Sequence, residues 1–398
     1  MPRVAPPSIP VIVVARGYTA LGTLRALAQA GIPAYVACPE DDLATRSRWF
    51  RPLPGAVPWH GGIDAHSLSA LQASGLREAV LIPGADDAAL WVADVAHSPE
   101  RSRWHCSSSS RETLEILQDK SRFAAFLSAA SIPHPRSFHV DRLDDIAAIP
   151  FAELDRVFIK PADSQSFNNA LGKKGVWASN RQEMEAEWQR LHDAGFAVIA
   201  QEYVPGSSAD HYFIDGFRDR NGTIAGTMAR RRLRIHPPDF GNSSYCISVP
   251  LADVRGAYDN LDRLLTQLAY RGIFSAEFKR DARNGDFKLL EVNTRAWWYV
   301  EFAARCGVNV CEMAYQDALD RPVARPDTAY RVGAGCVNWI NDAKSVRSPG
   351  GRHGVSRWRV LRQWCGAYYH VMRWRDPRPG LHVIGDTLKH WLKRAIGV

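Results

Sequence analysis

The feature that most constrains this fold is a pair of short alternating segments in the third quarter of the chain. They read FSAEFKRD and DFKLLEVNT, and ARNG joins them. Alternation of apolar and polar residues predicts strands with one buried face, and a short connection that contains glycine predicts an antiparallel hairpin. The segment HYFIDGFRDRNGTIAGTMAR predicts a second hairpin with Asn221-Gly222 at its turn. We therefore expect an antiparallel sheet in this region.

The first hundred residues predict a different arrangement. Ile9–Ala15 is an apolar run of the kind found in buried parallel strands, and a helical pattern follows between Gly17 and Gly31. The segments IPAYVAC and AVLIPGADD read as two further strands. This alternation of strands and helices predicts an α/β domain over residues 1–105. The motif G-x-G-x-x-G is absent, which argues against a dinucleotide site.

Between these two regions, several polar residues stand at strand and helix positions. Lys120 lies inside one predicted amphipathic helix that follows a serine cluster, and Lys160 ends the strand RVFIKP. A polar loop with Lys173 comes next, and the strand FAVIAQEYV ends at Pro205-Gly206. The backbone of such a strand-to-linker segment can offer hydrogen bonds to the edge of an adenine. Taken singly, each of Lys120 and Lys160 is most often an ordinary surface lysine.

Three side chains of the first hairpin are candidate ligands for a divalent cation. Because side chains alternate along a strand, Glu291 and Asn293 share a face, and pairing across the turn can bring Glu277 opposite them. Two carboxylates and an amide oxygen form a hard-oxygen set that suits Mg²⁺. Arg295 continues the same face, where a guanidinium would stabilise charge that develops in phosphoryl transfer. A solvated strand face with paired charges is the alternative interpretation.

The order of these features resembles that of the ATP-grasp superfamily, and most closely that of its carboxylate–amine ligase branch. The features are, in sequence, the lysines, the strand-to-linker segment, EFKRD and EVNTR. The resemblance covers residues 10–320 approximately. It implies that the α/β domain over 1–105 is a pre-ATP-grasp domain. It also implies an α+β ATP-grasp domain in two subdomains, a small one over 106–205 with a lid loop and a catalytic one over 206–325.

The resemblance also implies roles for individual residues. The lid loop over 163–175 would close over the triphosphate of ATP and exclude water. Glu277, Glu291 and Asn293 would bind one or two Mg²⁺ ions, and Arg295 would stabilise the transferred phosphoryl group. The implied nucleotide contacts are those of Lys120, Lys160 and Lys173 with phosphates, of Glu202 and Val204 with adenine, and of Asp210 with ribose.

An arginine-rich segment, ARRRLRIHPPDFGNSS, is the predicted recognition site for the acid to be activated. On a strand, Arg230, Arg232 and Arg234 share one face and Arg231 lies on the other. Arginine binds carboxylates through two parallel hydrogen bonds, and we expect Arg231 and Arg234 to contact the substrate. The alternative interpretation is a basic edge hairpin that deters aggregation of the sheet.

The basic character of the chain is confined to its C-terminus. The net charge is +8, but residues 347–398 hold eleven Lys and Arg against two Asp, so the other 346 residues sum to −1. Four tryptophans stand among these cations, at positions 358, 364, 374 and 391. Basic helices with interleaved tryptophan are typical of contact with an anionic membrane surface, and they also suit an acidic glycan. A packing extension over 326–398 with a solvated basic face is the alternative. Nucleic acid is not expected as a partner.

The sequence therefore predicts an ATP- and Mg²⁺-dependent ligase that forms an amide from a carboxylate and an amine, the amine being an amino acid or another small amine. The acid is free or carried on a cell-envelope glycan or lipid. The alternatives are a ligase for soluble peptides or natural products, and an inactive nucleotide-binding scaffold at a membrane. Motifs for nucleophilic serine, Walker and zinc-protease sites are absent. Seven scattered cysteines without CxxC favour a cytoplasmic protein. The basic C-terminus adds the expectation of peripheral contact with the inner membrane surface.

Overall fold

A computed structural model describes residues 9–55, 59–161, 175–238, 241–324, 329–349, 351 and 354–396. The first sheet is parallel, with strand order β2-β1-β3-β4, and it confirms the predicted α/β arrangement. Its strands are β1 Val11–Val14, β2 Ala34–Ala37, β3 Ala79–Pro83 and β4 Trp104–Cys106. Its helices are α1 Gly17–Gln29, α2 Ser67–Ala73 and α3 Asp86–Ala96.

Helix α1 forms where the apolar spacing predicts it. Leu21, Leu24 and Leu27 are buried in the core beneath the first sheet. The helix begins at Gly17 and ends shortly before Gly31, both of which have positive φ (+58° and +73°), a conformation that glycine adopts without steric cost. The two glycines therefore set the length of the helix.

The second sheet is antiparallel, with strand order β5-β8-β6-β7. Its core is covered by one helix that buries Met184, Trp188 and Leu191. The strands are β5 Ser137–Val140, β6 Val157–Pro161, β7 Val176–Ala178 and β8 Val198–Glu202, and the covering helix is α6 Arg181–Asp193.

The predicted single helix through Lys120 is wrong, because the chain forms two helices there. Helix α4 spans Arg111–Gln118 and helix α5 spans Lys120–Ala129. Asp119 separates them: its backbone is extended, and its carboxylate accepts hydrogen bonds from the amides of Ser121 and Arg122. A side chain that caps a helix in this way favours a new helix start over continuation. Lys120 thus stands at the first position of α5.

The third sheet has seven strands in the order β13-β12-β9-β10-β11-β14-β15. Both predicted hairpins are confirmed, since β9 pairs with β10 and β12 pairs with β13, each antiparallel. The first five strands along the chain are β9 His211–Arg218, β10 Ile224–His236, β11 Asn242–Val249, β12 Gly272–Arg280 and β13 Phe287–Asn293. The helices beside them are α7 Arg255–Gln267, α8 Val300–Arg305 and α9 Val310–Ala318.

The C-terminal region extends this sheet and then adds helices. Strand β14 (Gly335–Val337) pairs with β11, and β15 (Ala367–Tyr369) pairs with β14. In the segment GCVNWIN only the first three residues form a strand, because Asn338 caps a helix. The helices are α10 Trp339–Arg347, α11 Arg357–Gly366 and α12 Arg378–Ile396. No helix in the described part of the chain is long and apolar enough to cross a membrane.

A buried ion-pair cluster joins the C-terminal region to helix α1. The guanidinium of Arg25 has no exposed surface and lies 3.0 Å from Asp376 and 3.2 Å from Glu301. It also donates to the backbone carbonyls of Val371 and Asp376. Asp376 in turn accepts hydrogen bonds from Ser47 and from a backbone amide. Residues far apart in sequence are therefore held together by one network.

His370 gives this junction a predicted pH dependence. Its Nε2 lies 2.6 Å from the carbonyl oxygen of Trp298, and its ring stacks on Tyr299. Burial, together with Arg25 and Arg230, lowers the pKa of His370 to about 4. Because the unfolded chain binds a proton near the ordinary pKa of 6.5 and the folded chain does not, stability falls as the pH drops from about 6.5 to about 4.

We expect His370→Gln to reduce the loss of stability that accompanies a drop in pH. The gap in the free energy of unfolding between the wild type and the variant should narrow as the pH falls from about 7 to about 4.5. Urea unfolding at several pH values measures it. Parallel stability curves for the two proteins over this range would contradict the assignment to His370.

Candidate functional site

The predicted metal ligands come together on the hairpin of β12 and β13. Glu277 is directly opposite Glu291, and Ser275 is opposite Asn293. The side-chain amide nitrogen of Asn293 lies 3.3 Å from Glu291 Oε1. Two carboxylates that face each other across neighbouring strands repel. The sheet thus places two negative charges and an amide on one surface, as the alternation predicts.

The surroundings of Glu277 keep it ionised. Its Oε1 lies 2.6 Å from Nδ1 of His211 and accepts a hydrogen bond from Arg232 at 3.2 Å. Burial by itself would raise the pKa of Glu277, but the charge of Arg232 and the contact with His211 lower it to about 2. Burial and the nearby Arg232 in turn lower the pKa of His211 below its ordinary value.

The donor set fits Mg²⁺. Both contacts that Glu277 makes with His211 and Arg232 go to one oxygen, Oε1. Magnesium binds through one or two protein carboxylates and takes its remaining ligands from phosphate and water. The described residues contain no group of three or more His, Cys, Asp or Glu side chains that could hold a metal without such additional ligands. Glu277, Glu291 and Asn293 would supply part of such a ligand set.

A cavity of about 310 Å³ lies against this surface. Strand β13 contributes Glu291 and Asn293, the start of α5 contributes Lys120, and strand β8 contributes Gln201. Asp86, at the start of α3, also lines it. Residues from all three sheet regions thus border one cavity, and its lining includes the charged side chains of Asp86, Lys120 and Glu291.

Arg295 is held at the edge of this cavity by Asp86. Its Nε donates a hydrogen bond of 2.7 Å to Asp86 Oδ1, and a second nitrogen lies 3.4 Å from Oδ2. A hydrogen bond between Gln118 and Thr294 supports the adjacent backbone. Arg295 lies two residues beyond Asn293, so Asp86 of α3 holds a cation next to the candidate metal ligands.

The strand-to-linker segment is built around a buried carboxylate. Glu202 is paired with Arg283 (2.6 Å) and Lys288 (2.9 Å), and it accepts from the backbone amide of Arg136. Burial would raise the pKa of Glu202, but these hydrogen bonds and the charge of Lys288 lower it. Its side chain therefore ties β8 to the hairpin. Val204, which follows, is buried.

Cations surround the ring of Tyr203 in the same segment. The guanidinium of Arg156 lies 4.1 Å from the centre of the ring and the ammonium of Lys279 lies 4.7 Å from it. Burial lowers the pKa of Lys279 to about 8. Lys279 is two residues from Glu277, on the same face of β12. This end of the site is consequently electropositive.

Arg231 and Asp210 lie side by side. Arg231 is partly exposed, and its guanidinium lies 3.7 Å from Asp210 Oδ1 and donates to the carbonyl of Ala209. Asp210 also accepts from the amide and hydroxyl of Ser207. His211, which follows Asp210 in the chain, contacts the candidate metal ligand Glu277.

The prediction that Arg234 contacts the substrate is corrected by its position. The three alternate arginines of β10 are buried, and Arg234 is only 1% exposed. Its guanidinium forms three hydrogen bonds with Asp342, at 2.8, 2.9 and 3.1 Å, and it donates to Gln363. Its role is therefore to attach α10 and α11 to the sheet.

Two predicted nucleotide contacts cannot be placed in the structure. Lys160 lies on β6 opposite Ile199, but its side chain is outside the described part of the chain. Lys173 and the predicted lid loop, apart from Gly175, also lie outside the described residues. The roles of both lysines stay predictions.

Sequence reasoning missed three residues of the site. His211 and Arg232 contact Glu277 from β9 and β10. Their proximity to Glu277 follows only from the pairing of β9 with β10 and with β12. Asp86 reaches Arg295 across 209 positions of the chain. One signal was available for Asp86, since two acids follow a strand and a glycine at this point.

Comparisons with known proteins agree with this geometry at the level of the fold. No protein-family model matches the chain. The chain is 22% identical over 232 residues to a D-aspartate ligase of Enterococcus faecium, and this match spans about half of each protein (56% of this chain and 55% of the ligase).

Solved structures give a wider match. The biotin carboxylase domain of Hydrogenobacter thermophilus 2-oxoglutarate carboxylase, crystallised with MgADP, has a TM-score of 0.61 at 17% identity and covers 82% of this chain and 72% of its own. The N5-carboxyaminoimidazole ribonucleotide synthetase of Thermus thermophilus has a TM-score of 0.59 at 14% identity and covers 82% and 81%. The mixed α/β fold of this chain matches these structures over 82% of its length, so the ATP-grasp fold that the motif order predicts is confirmed at that level.

Proposed function

We propose that the protein is an ATP-dependent ligase that joins a carboxylate to an amine through an acyl phosphate. The observation that carries the proposal is the opposition of Glu277 and Glu291 on neighbouring strands, with Asn293 beside them and Lys120 at the same cavity. An inactive scaffold would have no need to hold two carboxylates and an amide oxygen together on one surface, which is the kind of ligand set that Mg²⁺ takes. The sequence similarity to a D-aspartate ligase also supports a ligase activity.

The chemistry requires positioning and charge neutralisation more than a protein nucleophile. An oxygen of the carboxylate attacks the γ-phosphorus of ATP, the bond to the bridging oxygen breaks, and ADP leaves. The amine nitrogen then attacks the carbonyl carbon of the acyl phosphate. Phosphate departs and the nitrogen loses a proton, which gives the amide.

The residues of the site divide these tasks. Glu277, Glu291 and Asn293 would hold Mg²⁺, which would supply neutralisation of the phosphate charge. Glu202 contacts adenine through its backbone, because its carboxylate is already paired. The remaining proposed contacts are those of Lys120, Lys160 and Lys173 with phosphates, Val204 with adenine, Asp210 with ribose, Arg295 with the transferred phosphoryl group and Arg231 with the acid.

The test is release of ADP from MgATP with pools of carboxylic acids and amines, with both isomers of aspartate included. We expect release that depends on an acid and an amine together. Failure to bind ATP at all would contradict the proposal. Binding of ATP without turnover in every pool of small molecules would favour a large acid carried on a glycan or lipid.

An acid carried on a cell-envelope glycan or lipid is a second, more specific candidate. The concentration of positive charge in residues 347–398 supports it, since a polyanionic envelope component would be attracted there. A ligase for soluble peptides or natural products is the competing assignment. A purified envelope precursor as the acid substrate, compared with free amino acids, distinguishes the two.

The proposed role of Arg295 leads to a prediction for Asp86. Replacement by asparagine removes the charge that orients Arg295, so we expect kcat to fall about ten- to hundredfold while the affinity for MgATP changes little. Asp86→Glu should recover part of the rate, because it can restore the ion pair. Initial-rate kinetics and calorimetric titration with nucleotide measure the two quantities. An equal loss in nucleotide affinity would point instead to a disturbed fold.

A further inference from the structure

Helix α11 exposes an apolar strip with arginines on both of its sides. Trp358 is 81% exposed and Leu361 is 47% exposed. Their spacing of three residues places them on one face of the helix. Arg357 borders this strip on one side, and Arg359 and Arg362 border it on the other, and all three are exposed. We call these five residues the α11 face.

The opposite side of α11 is firmly attached to the protein. Val360 is buried, Gln363 accepts a hydrogen bond of 2.6 Å from Arg234, and Trp364 donates one of 2.7 Å to Asp342. Ser356 caps the first turn by accepting from the amide of Arg359. The α11 face is therefore the outward surface of a fixed helix, so its exposure does not come from a frayed end.

The next helix repeats the pattern. In α12, Leu381, Leu388 and Leu392 are each more than half exposed, and their spacing of seven and four residues puts them on one face. Exposed Arg378 and Lys389 stand near the same side of this helix. Two consecutive helices thus show apolar side chains to solvent next to cations.

We propose that the α11 face binds the surface of an anionic lipid bilayer. An interfacial helix inserts its apolar side chains at the level of the head groups and places its cations among lipid phosphates, and the order of residues on α11 matches that requirement. The excess charge of residues 347–398 adds attraction to a negative surface. The proposal goes beyond the ligase activity and does not depend on it.

A second copy of the chain is a poorer occupant of this face. In a two-fold symmetric contact the same patch meets itself, so the arginines of one α11 would face those of the other. An acidic glycan would satisfy the arginines but would leave Leu361 exposed. A bilayer satisfies both chemical types at once.

The experiment is co-sedimentation of the full chain with vesicles. We expect binding to vesicles of phosphatidylcholine mixed with phosphatidylglycerol, weak binding to phosphatidylcholine alone, and a decrease as salt is raised. Leu361→Ser should weaken binding to the mixed vesicles about tenfold, because an apolar side chain is lost from the interface. Leu143→Ser is the matched control, since Leu143 is similarly exposed (42%) but distant in sequence, and it should bind as the wild type does.

A second pair of variants separates local from overall charge. Arg359→Ala with Arg362→Ala should weaken binding about tenfold. Arg255→Ala with Arg263→Ala removes the same charge from exposed positions on α7 and should change binding little. Thermal unfolding confirms that each variant is folded.

Three results would overturn the proposal. One is equal binding to the neutral and the mixed vesicles. Another is loss of binding to the same extent in the α11 and α7 double variants, which would show that net charge alone is responsible. The third is a vesicle-free dimer in light scattering that Leu361→Ser dissociates, which would assign the α11 face to a second copy.

Discussion

Replacement of Glu291 by alanine is expected to lower the rate of ADP release by at least about a hundredfold, because it removes one of two facing carboxylates from the site that we propose for Mg²⁺. Glu277 alone retains its contacts with His211 and Arg232, which already neutralise it. The variant should therefore also need a higher Mg²⁺ concentration for half-maximal rate. Steady-state rates over a magnesium titration measure both effects.

The control for this variant is Glu153→Ala. Glu153 is an exposed glutamate in an ion pair with Arg136, outside the cavity, so its loss should leave the rate unchanged. The free energy of unfolding of Glu291→Ala should differ from that of the wild type by about 1 kcal/mol at most, since Glu291 is exposed and its repulsion by Glu277 disappears. A Glu291→Ala enzyme that keeps full activity would remove the hairpin from the proposed site.

The parts of the fold that could be predicted from sequence are those with local signals. The two hairpins were visible because alternating strands flank short turns, and α1 was visible because its apolar residues recur at helical spacing. Strands β14 and β15 were not predicted as a sheet edge, since each has three residues and they pair only across a long connection. The break at Asp119 was missed because a capping side chain does not disturb the helical spacing of apolar residues.

In the candidate site, too, the residues with a local sequence signal were predictable and those that depend on distant contacts were not. Glu277, Glu291 and Asn293 were predictable because one hairpin holds all three. The alternation along β10 correctly separated Arg231 from its neighbours, but it could not show that Arg234 meets Asp342, which is 108 residues further along the chain. Burial of an arginine depends on a distant partner, and a strand pattern has no information about that partner.

The buried cluster around Arg25 should dominate the stability of the junction between α1 and the C-terminal region. We expect Arg25→Met to reduce the free energy of unfolding by about 3–5 kcal/mol, because it leaves the buried carboxylates of Asp376 and Glu301 without their shared cation. The methionine fills much of the same volume, so the loss reflects charge and hydrogen bonds more than a cavity. Urea unfolding of the full chain measures it.

Arg181→Met is the matched control, since Arg181 forms a single ion pair with Glu185 on the exposed side of α6 and should contribute less than about 1 kcal/mol.

The consequence of the Arg25 change should be confined to stability if the variant is assayed well below its unfolding temperature. Nucleotide binding should persist, because no residue of the cluster lines the cavity beside Glu291. A stability of Arg25→Met equal to that of the wild type would show that the two carboxylates find other partners, and that the C-terminal region is attached chiefly through Arg234 and the sheet.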